Sequence, residues 1–126
     1  MSKHSAKLQQ DATRYVDAIE KADEYVGALL MAMEKRPTVQ KEDWLIVVST
    51  DHGGRGKGHG NNTPEERTIF LIVSGKSAAR GTIEPTPNIV DVAPTVLQHL
   101  GVLIDPKWRL DGKAVGLKAP KPDKIE

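Results

Sequence analysis

The chain has 126 residues, 38% of them apolar and 28% charged, which suits one domain able to bury roughly two thirds of its unfolded surface. It contains no cysteine, which excludes disulfides, cysteine-ligated zinc and a thiol nucleophile. A net charge of +1 with the signs interspersed lacks the basic footprint of a nucleic-acid partner, and the apolar runs are too short to cross a bilayer.

The opening stretch MSKHSAKLQQDATR has no apolar core, which predicts no signal peptide. On that expectation the chain is either intracellular or the downstream part of something longer. His4 reads as a solvated histidine. Leu8, Ala12, Tyr15, Ile19, Ala22, Val26, Leu29 and Met33 recur at three- and four-residue intervals, which predicts one long helix with a single apolar stripe. Ser5 or Asp11 is expected to cap its start, and Pro37 forbids its continuation. Asp23 lies on the flank of the stripe.

Residues 44–49 and 68–74 are short, continuously apolar, β-branched runs that read as buried strands. Asp91 offers a cap for a helix whose face is Val92, Val96, Leu97 and Leu100. Pro94 is tolerable in its first turn and Gly101 supplies the stop. Residues 108–115 suggest a small hairpin around Asp111-Gly112, and residues 118–126 a loose tail. Helix, strand, strand, helix implies a layered α/β domain.

Between the strands lies STDHGGRGKGHGN, residues 49–61. Asp51 and His52 stand just past the end of the first strand, the edge at which open α/β sheets bind ligands. One hard oxygen and one imidazole nitrogen suit a divalent transition metal. His59 follows across four glycines, whose freedom to adopt positive φ lets the backbone fold back around an ion. A phosphate loop of the form G-x-x-x-x-G-K-[ST] fails, because Gly58 follows Gly56-Lys57. A dinucleotide fingerprint fails too, since no helix pattern opens after the last glycine. The plain alternative is a surface loop with two solvated histidines. Arg55 and Lys57 are either solvated or meet an anionic substrate.

VVSTDHGGRGKGHG, then TPEERTIFLIVSG, then PNIVDVAPTVLQHLGV resemble, in that order, the C-terminal half of the alkaline phosphatase-like superfamily. Its type I phosphodiesterase/nucleotide pyrophosphatase and sulfatase-like branches are the most similar. The upstream YVDAIEKADEYVGALL also looks like the helix before the loop in that group, with Asp23 and Gly27 in matching places. The resemblance implies a mixed sheet sandwiched by helices in a layered α/β/α fold. Residues 1–117 would form the C-terminal segment of that catalytic domain. It also implies two divalent metal ions, zinc before calcium or manganese, at the C-terminal edge of the strands. Carried over residue by residue, Asp51 and His52 would ligate one metal, and His59 would complete the shell of the second. The other ligands and the nucleophile would come from upstream segments. The implied activity is hydrolysis of a small-molecule phosphate ester or diester by a longer parent, which in these branches is often exported. A sulfatase or phosphomutase relative, or a non-catalytic metal-binding module, is the alternative. The chain by itself is then expected to be inactive and to self-associate through apolar surface left uncovered.

Overall fold

The computed structural model describes residues 3–119, with side chains from Asp11 onward. The side chain of His4 and most of the expected 118–126 tail lie outside these residues. The chain divides into two compact units, Met1–Glu42 and Asp43–Glu126.

The first unit is helix α1, Lys3–Glu34, followed by a 3-10 turn at Val39–Lys41. The helix begins before both expected caps, so Ser5 and Asp11 lie inside it and not at its start. It ends two residues short of the residue preceding Pro37, which disfavours helical backbone there. Arg36 closes the following turn with a two-pronged pair to Glu42, Nε and a terminal nitrogen donating to the two carboxylate oxygens at 3.0 and 2.9 Å. Along the apolar stripe Val26 and Met33 are half-buried, while Tyr15 and Leu29 are each 71% exposed.

The second unit is α/β. Strands β1 (Leu45–Ser49) and β2 (Leu71–Gly75) pair antiparallel, with Leu45 opposite Gly75, Val47 opposite Val73 and Ser49 opposite Leu71. Among the described residues the sheet has these two strands. They are less covered than their apolar runs suggest: β1 is half-buried and Ile72 on β2 is 53% exposed. β2 also starts later than the run of residues 68–74 implies. A helical turn, α2 (Pro64–Arg67), precedes it and Thr68 forms that turn's C-cap.

Helix α3, Val92–His99, follows a 3-10 turn at Ile89–Asp91 and packs against β1. Pro94 is cheap there because the first amides of a helix lack intrahelical acceptors. Gly101, at φ +71°, ends α3 in a Schellman arrangement, its N–H donating to Gln98 O and that of Val102 to Leu97 O. Asp91 does not cap α3 through its side chain. Its carboxylate instead accepts from the N–H of Asn88 at 2.7 Å and of Lys113 at 2.9 Å.

That second bond explains why the expected hairpin at residues 108–115 does not form. Pro106–Trp108 makes a 3-10 turn capped by Asp105, and the chain then runs beneath the start of α3. A Cβ on Gly112 would sit 2.1 Å from Val90 O, so the Asp111-Gly112 pair serves a close backbone approach and not a tight turn. Further on, Ala78 pairs antiparallel with Leu117, and the Lys118 N–H donates to Ser77 O at 2.9 Å. The buried centre is small: Ala78, Pro94, Thr95 and Val115. Thr95 Oγ1 donates to Asp91 O and accepts from the Val115 N–H. No helix among the described residues is long and apolar enough to cross a membrane.

Candidate metal centre

β1 ends at Ser49, and the next residues carry Asp51 and His52 into an open loop. The loop is more ordered than its glycine content suggests. Arg55 and Gly58 exchange both backbone hydrogen bonds, at 3.0 and 3.2 Å, and Gly56 takes φ +62° between them. This tight hairpin returns the chain, so that the rings of His52 and His59 stack with centroids 4.3 Å apart and planes inclined by 29°.

His52 Nδ1 lies 2.6 Å from Gly53 O. A carbonyl only accepts, so Nδ1 carries a proton, and in the neutral imidazole the Nε2 lone pair is then the one left open. Asp51 Oδ2 lies 3.6 Å from that Nε2, too long for a hydrogen bond. Two ligand atoms sharing one ion at tetrahedral bonds of about 2.1 Å would stand about 3.4 Å apart, so the Asp51–His52 pair fits half of a zinc-type shell. The backbone carbonyl on Nδ1 is the support that metal-ligating histidines commonly use. Three ligand atoms do not converge: among the described residues no group of three or more His, Cys, Asp or Glu side chains could hold a metal ion. Asp23 is exposed on α1.

The pair lines one wall of an open cleft of about 540 Å³, to which Arg67, Thr68, Thr86 and Asn88 also contribute. α2 is locked beside it. Thr63 Oγ1 and Glu66 form a capping box, and the Glu66 carboxylate accepts from Thr63 Oγ1 at 2.9 Å and from the N–H groups of Asn61 and Thr63. Burial pushes the Glu66 carboxyl up, but these hydrogen bonds outweigh it and hold the group below its ordinary value. The signal for α2 is plain in the sequence, Thr63-Pro64-Glu65-Glu66 being a T-x-x-E box with Pro at the first helical position. Nothing comparable marks Arg67, Thr86 or Asn88.

Residues 2–102 match the Sulfatase family. The chain belongs to that family. It thereby belongs to the alkaline phosphatase-like superfamily that its loop motifs resemble. This Sulfatase-family chain is also 26% identical over 88 residues to a phosphopentomutase of Clostridium beijerinckii, an overlap covering 70% of this chain and 20% of that protein. It therefore spans about a fifth of that relative's length. No solved structure matches the chain.

Proposed function

We propose that this chain supplies Asp51, His52 and His59 to the two-metal centre of an enzyme that cleaves phosphate esters or diesters. The observation that carries the reading is the 3.6 Å gap between Asp51 Oδ2 and an Nε2 left open by the Nδ1–Gly53 bond. His52 would hold an ion through Nε2 and Asp51 through Oδ2, with His59, stacked on His52, serving the neighbouring ion. Bound divalent metal would polarise the ester's oxygens and lower the pKa of a nucleophile. Two of the chain's hydroxyls near the site are engaged in hydrogen bonds. Ser49 Oγ lies 3.0 Å from both Thr50 O and Phe70 O, and Thr63 Oγ1 is tied to Glu66. On this reading the chain supplies ligands, and the nucleophile comes from a segment upstream, as the superfamily resemblance implies.

The likeness to a phosphopentomutase favours phosphoryl over sulfuryl chemistry, and makes phosphoryl transfer between positions of one substrate the second reading. Calorimetric titration with zinc and manganese tests the ligand assignment. Asp51→Asn and His52→Ala should each weaken binding at least tenfold, and His59→Ala should remove only the weaker of two events. Equal binding by wild type and His52→Ala would overturn it.

A further inference from the structure

Arg67 is the one cation among the described residues lining the cleft that holds Asp51 and His52. No hydrogen bond or ion pair among the described residues engages its guanidinium. The nearest carboxylate in sequence, Glu66, is spent on Asn61 and Thr63. The cation is therefore left uncompensated at the cleft wall.

Its placement relative to the candidate ligands is fixed by backbone. The Gly53 N–H donates to Glu66 O at 2.8 Å, and a Cβ on Gly53 would lie 2.1 Å from Glu65 O and 2.5 Å from Thr68 O. The residue after His52 thus touches the turn that carries Arg67 on both sides. A planar guanidinium presents a fork of donors matched to two oxygens of one tetrahedral oxyanion.

We propose that Arg67 is the anion-positioning residue of this cleft, gripping non-bridging oxygens of a phosphoryl or sulfuryl ester beside the Asp51–His52 pair. This rests on the metal-centre reading for its chemistry, but its test does not need the metal. Inorganic phosphate is titrated into the full chain without metal, the Arg67 Nε–H resonance and backbone amides 67–69 and 88 are followed by NMR, and manganese affinity is measured separately by calorimetry. Saturable shifts there should appear in wild type. Arg67→Gln should bind phosphate about tenfold more weakly or worse, the loss expected for a charge-assisted bond, and Arg67→Lys should recover part of it. Manganese affinity should be the same in all three proteins. Phosphate binding to Arg67→Gln as tight as to wild type, or no shifts at these positions in wild type, would overturn the proposal. Phosphate shifts at Arg67 together with absent manganese binding would sink the metal reading and leave Arg67's role standing.

Discussion

The Gly53 amide donates to the Glu66 carbonyl at 2.8 Å, so the stretch bearing Asp51 and His52 is fastened to α2 by a main-chain bond. The contact tolerates no side chain, because the atoms a Cβ would meet at 2.1 and 2.5 Å are both backbone carbonyl oxygens.

Gly53→Ala should therefore destabilise the chain by about 1–3 kcal/mol, the usual cost of overpacking, and weaken metal binding by displacing Asp51 and His52. Gly56→Ala is the control. Its Cβ would meet nothing within 4 Å, and its φ of +62° alone should cost about 1 kcal/mol. Urea unfolding and zinc titration of the two variants check this. Equal stabilities would show that the Gly53 contact relaxes freely.

Glu66 makes the loop acid-sensitive. Its folded carboxyl titrates below the ordinary value of about 4.3, so the stability it contributes is present above that value and is lost as pH falls through the folded pKa. Amide exchange around residues 61–67 should rise in wild type as the pH falls through the lower end of the carboxylate range. Glu66→Gln, which loses the charge-assisted bonds, should be less stable at pH 7 and show a flatter acid profile. Matching profiles would exclude Glu66 as the source.

Much of this architecture could be read from residue pattern. α1 and α3 follow from periodicity, both strands from short apolar β-branched runs, and Gly101 stops α3 by positive φ as its position implies. The misreading at Asp111-Gly112 has a definite cause. A D-G pair signals either a turn or a close approach, and only the distant Val90 carbonyl and Asp91 carboxylate select the latter. Asp51, His52 and His59 stood out because their residue types carry the chemistry. Arg67 did not, since its place in the cleft depends on how Gly53 packs against α2.

Thr95, 1% exposed, joins α3 to residues 112–117 through one hydroxyl. Thr95→Val keeps the volume but removes the acceptor of the Val115 N–H, which lies 2.9 Å away. Leaving that buried donor unpaired should cost about 1–3 kcal/mol, whereas Thr95→Ser, which keeps the hydroxyl, should cost less. Thermal melts of the pair decide it, and equal losses would show that the hydroxyl contributes no more than the methyl group.

Apolar exposure gives the chain a reason to associate. Tyr15 and Leu29 on α1 and Ile72 on β2 are each more than half exposed, and a two-stranded sheet is marginal by itself. We expect the mass measured by sedimentation to rise with concentration, and Ile72→Lys, placing a charge on β2, to lower the association. A monomer at every concentration would show that these faces need no cover.

The phosphate reading proposed above can be tested through His52. Imidazole nitrogen favours zinc and its neighbours, whereas a calcium site would be built from oxygens. With His52 Nε2 open beside Asp51 Oδ2, the proposed donor set suits zinc better than calcium. On the phosphate reading, the protein whose active site includes this chain is expected to release product faster from chromogenic phosphate mono- or diesters than from an aryl sulfate, and faster in zinc than in calcium. His52→Asn exchanges the imidazole for an amide oxygen and should shift the metal preference toward calcium while lowering phosphate turnover. Sulfate release that leads in wild type and is fastest in calcium would overturn the phosphate reading, and an unaltered metal preference in His52→Asn would remove His52 from the ligand set.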